Sequence, residues 1–463
     1  MRYVSTRGAA PVLSFEEAML TGLARDGGLY LPQSWPRLSA DEIAGFAGKP
    51  YEEVAVAVMR PFIGDAFSEA EFRAIVARAY AGFGHAARAP LAQIAPGDWI
   101  LELHHGPTLA FKDFAMQLIG QMFEVALTRR GERVMIVAAT SGDTGSAAIE
   151  AFRGLDAVDV VILYPHGRVS EVQRRQMTTP TEANVHALAV EGDFDACQAL
   201  VKGMFNDLPF RDALRLAAVN SINWARVLAQ AVYYFTAAAA LGAPGRAVSF
   251  SAPTGNFGDV FAGHVARAMG LPIERLVIAT NENDILHRTL TTGRHEKAGV
   301  TATTSPSMDI EVSSNFERLL FELYGRDGAA VTQLMDELKA GGFALRQGAL
   351  AALREGFASG RADQAQVAAE IARIRATTGQ VIDPHTAVGL IAARANRGDP
   401  ATPMITLGTA HAAKFPDAVE AACGVRPALP PRMADLYDRA ERVTVVPDDL
   451  AAVEAAVRAR ARA

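Results

Sequence analysis

The sequence predicts an α/β fold built on mostly parallel sheets, preceded by a mainly helical N-terminal lobe. Short, continuously apolar runs rich in β-branched residues recur along the chain, as strands buried on both faces require. Each run leads into a glycine-containing turn and then a helical pattern, the alternation of parallel βαβ units. The first 95 residues lack that alternation.

Residues 1–95 hold two helical patterns, SFEEAMLTGLA and EAEFRAIVARAY, with the turn cluster RDGGLYLP between them, and read as a separate lobe. Residues 96–330 form the α/β core. There VMIVAA (134–139) passes through TSGDTG into GSAAIEAF, and DVVILY (159–164) precedes PHGRVSEVQRRQM. Runs at 185–190 and 247–252 precede EGDFDACQALVKGMF and PTGNFGDVFAGHVARAM, and a further run spans 275–280. A smaller, mobile α/β subdomain is expected around 110–190. Residues 331–400, including QLMDELKAGGFALRQGALAALREGFASG, read as a helical insertion. Residues 401–463 return to the core sheet at 404–407 and, after the Pro-rich ALPPRM, end in a helix, DDLAAVEAAVRARARA.

Composition narrows the function classes. At 463 residues, half of them apolar and 21% charged, the chain is an ordinary globular one with ample core. A formal charge of −6 argues against a nucleic-acid or anionic-membrane surface. The Ala-rich run 231–243 falls short of the ~18 residues that span a bilayer and suits a buried helix. The first residues lack a secretory-type apolar core. With only Cys197 and Cys423 and no CxxC pair, neither a disulfide framework nor a zinc site is expected, and a reducing cytoplasm is the natural location.

The stretch LELHHGPTLAFKDFAMQLIG places Lys112 among aromatic residues, between Phe111 and Phe114. An apolar setting disfavours the ammonium form, lowers the pKa and makes the amine a nucleophile of the Schiff-base kind. Four further segments bear on it. TSGDTG (140–145) stands between a strand and a helix, where glycines admit a ligand to the backbone and free N–H groups bind anions. Its Asp-Thr-Gly triplet also occurs in aspartic proteases, but no second triplet and no all-β body accompany it. PTGNFGD (253–259) has the same strand–loop–helix setting and suits a phosphate, yet it is neither a Walker loop nor GxGxxG. NSINWAR (220–226) offers neutral donors and Arg226, a forked cationic donor. TLGTAHAAK (406–414) places Thr409 at a strand end, where its hydroxyl can meet a ring nitrogen. Taken singly, the glycine loops also describe ordinary βα turns, and NSINWAR and Thr409 are better described as an Asn/Ser helix cap with a surface arginine and as a capping threonine. His104, His105 and His385 lack metal-ligand spacing and read as structural; no metal is expected.

Together, YVSTRG, DGGLYLP, HGPTLAFKDF, TSGDTG, NSINWAR, PTGNFGD, SPSMDIEVSSNFERLL, DPHTAVG and TAHAAKFPDAV occur in an order that resembles the threonine synthases from end to end. The resemblance is to the long-form bacterial and fungal branch of the fold-type-II, tryptophan-synthase-β-like pyridoxal-phosphate enzymes. It implies two open, twisted α/β domains and pyridoxal 5′-phosphate as cofactor. It implies conversion of O-phospho-L-homoserine and water to L-threonine and phosphate, by a monomer or homodimer. By position, Lys112 would carry the cofactor covalently. Gly255, Asn256, Phe257, Gly258 and Asp259 would cradle its phosphate, and Thr409 would face the pyridine nitrogen. Thr140, Ser141, Gly142 and Thr144 would hold the substrate carboxylate; Asn220, Ser221 and Arg226 would hold its phosphate. Asp143 stands where many fold-type-II relatives carry an asparagine beside the cofactor 3′-oxygen, and His104 where relatives often carry an aromatic residue. The competing readings are another fold-type-II lyase, such as a serine/threonine dehydratase or a phospho-amino-acid lyase that stops at the ketoacid, and a non-catalytic binding module that keeps the fold.

Overall fold

The computed structural model describes residues 1–462. Two sheets carry the molecule. The larger has six strands in the order Phe357–Arg361, Ile273–Thr280, Val248–Pro253, Met404–Gly408, Asp98–Glu102, Leu91–Ala95. All neighbours are parallel except the edge hairpin Leu91–Ala95 with Asp98–Glu102. The smaller has five parallel strands in the order Thr444–Val446, Val185–Val190, Val158–Pro165, Val134–Ala139, Leu216–Ala217. Its central strand Val158–Pro165 is buried at every position, as a run covered on both faces must be.

The Ala-rich stretch becomes the helix Trp224–Ala240, buried along nearly its whole length. It packs against Tyr51–Ile63 of the N-terminal lobe, Lys112–Arg130 and Gly258–Ala268. Small alanine faces let these helices approach closely. Trp224, fully buried, gathers Tyr3, Trp35 and Phe62 around it at ring separations of 5.9–6.0 Å. The lobe's short helices start at capping boxes, Ser14 with Glu17, Ser39 with Glu42, and Ser68 with Glu71.

Three segments sit differently from the sequence expectation. The stretch 331–400 is mainly helical, yet it supplies the edge strand Phe357–Arg361 to the larger sheet. The run FASGR is only half-buried and has glycine within it, so it carries little strand signal. From the same stretch, helix Pro384–Ala395 lies directly on the sheet, where Ser251 Oγ donates to Gly389 O at 2.7 Å. A Cβ on Gly389 would meet Thr406 Cγ2 at 2.7 Å, so glycine permits that approach. The chain end divides: Met404–Gly408 joins the larger sheet, while Thr444–Val446 forms an edge of the smaller. Residues 91–95, read as the end of the N-terminal lobe, are a strand of the larger sheet.

Segments 103–111, 140–142, 254–257 and 409–411 all emerge from carboxyl ends of parallel strands, where open α/β sheets place ligand sites.

Candidate active site

Strand Asp98–Glu102 delivers the chain into the HGPT turn. Thr108 N–H and Oγ1–H donate to the two oxygens of Asp113 at 2.8 and 2.6 Å, and Phe111 N–H donates to Thr409 O at 2.8 Å. These ties place Lys112 as the first residue of helix Lys112–Arg130, 8% exposed. Its Nζ stands 3.2 Å from Asp143 Oδ2 and 3.2 Å from Ser307 Oγ, and 5.3 Å from the centre of the Phe111 ring. Burial holds the amine below its usual basicity; Asp143 opposes this, while Lys414 and Arg226 add to it. Phe114, read from sequence as the second apolar flank, points away and packs with Tyr51, Tyr80, Phe83 and Tyr233.

Asp143, at the start of helix Asp143–Phe152, is 3% exposed. It accepts from Ser307 Oγ at 3.0 Å and Gln173 Nε2 at 2.9 Å, and pairs with Lys112 and Lys414. Burial alone would raise its pKa; Lys112 and Lys414 outweigh that and hold the carboxyl well below its usual range. Around it the loop divides its labour. Thr140 Oγ1 accepts from Gly142 N–H at 2.9 Å and Gly145 N–H at 2.8 Å, so this side chain braces the turn. Gly142 has φ +136°, and a Cβ there would lie 2.4 Å from Gln173 Cδ. Ser141 and Thr144 are the partly exposed pair. Their hydroxyls, with the free amides of the helix start, are what this loop offers a carboxylate.

The loop after Val248–Pro253 is built through its backbone. Phe257 has φ +64°, its ring fully buried on Phe316 and Phe357, and its N–H donates to Thr254 Oγ1 at 3.1 Å. Asp259 takes Thr254 Oγ1 at 2.7 Å and Val260 N–H at 2.8 Å, so its carboxylate caps its own turn; burial pushes it up to about 6. The N–H groups of Gly255, Asn256 and Gly258 meet no protein acceptor among the described residues. Ser307 O would lie 3.0 Å from a Cβ on Gly255, while a Cβ on Gly258 would point toward Asn315 Nδ2, 3.5 Å away, and Gln230 Oε1, 3.8 Å away. Free amides facing a polar-rimmed space fit a cofactor phosphate.

Arg226 is 3% exposed, donates to Val219 O at 3.3 Å, and leaves Nε without a partner among the described residues. It forms no ion pair among the described residues, and burial pulls it down to about 10. A buried guanidinium with spare donors is a receptor for a dianion. Asn220 lies exposed and Ser221 half-buried beside it; the helix cap is Asn223, whose Oδ1 accepts from Ala225 N–H. Thr409 is buried, with a hydroxyl that makes no hydrogen bond among the described residues. These free donors and Lys112 together fit pyridoxal phosphate and a phosphorylated substrate.

His385 lies on the site's rim: Asp383 Oδ2 pairs with its Nδ1 at 2.7 Å, and its Nε2 accepts from Ser307 N–H at 3.3 Å. Glu102, His104 and His105 bring ligand atoms within 4.8 Å of one another. Glu102 Oε2 and His105 Nε2 pair at 2.7 Å, which satisfies both without an ion. Burial pushes His104 down to about 4, leaving it neutral at pH 7. Ser307, Gln173, Lys414 and the Asp383–His385 pair escaped sequence reasoning. Ser307 sat inside SPSMDI, which marked only the resemblance, and Lys414 ended a segment read for Thr409.

A sequence model described as pyridoxal-phosphate dependent enzyme matches residues 99–407. The fold and this lysine-centred site thus define a pyridoxal-phosphate-dependent enzyme. Models described as threonine synthase N terminus and threonine synthase, C-terminal match residues 2–80 and 386–457. Threonine synthase of Pseudomonas aeruginosa is 55% identical over 459 residues, 99% of this chain and 98% of that protein. A crystal structure titled as PLP-bound threonine synthase from Brucella melitensis superimposes with TM-score 0.98 at 58% identity, covering both chains fully. Yeast threonine synthase superimposes with TM-score 0.94 at 39% identity, over 99% of this chain and 98% of that one. The chain belongs to the threonine synthase family.

Proposed function

We propose that the chain converts O-phospho-L-homoserine and water to L-threonine and phosphate, in the cytoplasm, as a monomer or homodimer. Bound pyridoxal phosphate supplies the electron sink that acidifies the Cα–H of an amino-acid substrate. Gly255, Asn256 and Gly258 hold the cofactor phosphate through their amides, with Phe257 and Asp259 fixing the loop's shape. Thr409 offers the pyridine nitrogen a neutral hydroxyl, which tempers the sink. Ser141, Thr144 and the amides around Gly142 hold the substrate carboxylate, with Thr140 as the brace. Arg226, aided by Asn220 and Ser221, holds the substrate phosphate until it leaves. Lys112 Nζ takes the Cα proton and moves protons along the carbon chain, a task suited to a flexible stem and a lowered pKa. Residues 110–190 act as the mobile half, whose closure excludes water until the addition step.

The observation that carries this reading is Arg226, a buried guanidinium without an acidic partner among the described residues, in the same site as Lys112. A dehydratase acting on unphosphorylated serine or threonine has no use for it. The cofactor-loaded enzyme is given O-phospho-L-homoserine, and phosphate release and product identity are measured. Threonine with stoichiometric phosphate supports the proposal; 2-oxobutyrate and ammonia refute it in favour of a lyase that stops at the ketoacid. Lys112→Ala is expected to abolish both the bound chromophore and turnover. A protein without a chromophore, whose Lys112→Ala variant behaves as the parent, would be a binding module.

A further inference from the structure

Lys414 ends the short 3₁₀ turn Ala412–Lys414 and is 0% exposed, more deeply buried than Lys112 at 8%. A lysine ammonium out of water persists only when paired. Here Nζ lies 2.7 Å from Asp143 Oδ1 and donates to Thr108 O at 2.8 Å. It therefore ties the turn that presents Lys112 to the loop that presents Asp143. Asp143 is enclosed on both oxygens: Lys112 and Ser307 meet Oδ2, and Gln173 and Lys414 meet Oδ1. The charged or titratable groups facing it are Lys112 from helix Lys112–Arg130, Lys414 from its turn, and His385 from helix Pro384–Ala395. Ser307 and Gln173 are neutral, and Lys112 is also within reach of Arg226 from helix Trp224–Ala240 and Asp259 from helix Gly258–Ala268.

Two lysines thus share one buried carboxylate. With Lys112 alone as counter-ion, each proton leaving Lys112 would strand Asp143 as an unpaired buried anion, which is strongly unfavourable. Lys112 would then keep its proton and be a poor nucleophile. A second, permanently placed ammonium removes that penalty.

We propose that Lys414 is a positioning residue of this active site: the standing counter-ion that keeps Asp143 ionised and leaves Lys112 free to release its proton. This rests on the reading of Lys112 as the lysine that captures the cofactor. An asparagine at position 143 would need no such partner, so Asp143 and Lys414 form one functional unit.

The test uses full-length, cofactor-free wild type, Lys414→Met, Asp143→Asn and the double variant. The rate of pyridoxal phosphate capture is followed by visible absorbance across pH. Its midpoint reports the proton affinity of the capturing amine, a quantity that loss of packing alone does not order. Lys414→Met is expected to move the midpoint up, on the order of one pH unit. Asp143→Asn should move it down, and the double variant should return it close to wild type. If Lys414→Met fails to fold, the comparison is made without the carboxylate: the double variant must show a higher midpoint than Asp143→Asn, and equal midpoints overturn the proposal. It is overturned if Lys414→Met keeps the wild-type midpoint, or if the double variant is as impaired as Lys414→Met. Borohydride reduction and peptide mapping of the captured cofactor, done on the same samples, report separately whether Lys112 is the capturing lysine.

Discussion

Replacing Arg226 with methionine should strengthen the cofactor-free fold while weakening the enzyme. Burial pulls this guanidinium down from its usual value to about 10. At 1.4 kcal/mol per pH unit, that bias corresponds to roughly 3 kcal/mol against the charged form. Methionine keeps most of the side-chain volume and removes the charge. It also leaves Val219 O without the 3.3 Å donation from Nη1, which gives back about 1 kcal/mol. The net expectation is a gain of about 2 kcal/mol for the unliganded fold, a large fraction of a stability of order 10 kcal/mol. In the loaded enzyme the same change removes charge-assisted donors to a phosphate, worth about 1.5–3 kcal/mol. KM for O-phospho-L-homoserine should therefore rise roughly ten- to a hundredfold. Urea unfolding of the cofactor-free variant and steady-state kinetics of the loaded one read the two effects. A variant that loses stability while keeping its KM would make Arg226 an ordinary structural arginine and remove the main support for a phosphorylated substrate.

Two further outcomes follow from single positions. His295 is 1% exposed, stacks between Phe316 and Phe343 at 5.1 and 4.9 Å, and is pushed down to about 4 by burial, with Arg288 adding to the effect. From about pH 6.5 down to 4 the unfolded chain binds a proton that the folded one refuses. Its contribution is therefore present above pH 6.5 and lost toward pH 4, by roughly 3 kcal/mol. His295→Phe should flatten that part of an unfolding free energy against pH curve, and an unchanged slope would contradict the assignment. Gly142→Ala should force Gln173 aside and strain the backbone by about 2 kcal/mol, because φ is +136° and the new Cβ meets Gln173 Cδ at 2.4 Å. With Gln173 displaced from Asp143, kcat/KM should fall at least tenfold; parent-like kinetics and melting would refute the coupling.

The fold class was legible because strands buried on both faces leave continuous apolar runs, and the runs at 134–139, 159–164, 185–190 and 275–280 became strands nearly to the residue. FASGR at 357–361 left no such trace, since an edge strand is half-exposed and tolerates glycine. Lys112 and the two glycine-bearing loops stood out in the sequence because a lysine among aromatic residues and glycines between strand and helix are local patterns; Thr409 stood out only as a hydroxyl at a strand end. Asp259 and Thr140 were legible as loop members only. That Thr140 Oγ1 and Asp259 Oδ1 brace the loops depends on hydrogen bonds with neighbours up to five residues away, while Asp259 Oδ2 is buried without a partner among the described residues.

By itself the sequence determined the α/β frame, the lysine and the loops that could hold anionic groups, since each is a local match of residue type to backbone need. The tertiary structure decided how the charges meet. Lys112, Asp143 and Lys414 are far apart along the chain, and nothing local makes Lys414 more than a surface lysine. Only when the larger sheet places the 412–414 turn behind Thr108 does that lysine lose its water and acquire Asp143 as its partner. Burial and pairing are properties of the assembled core, and they turn a common residue into part of a site.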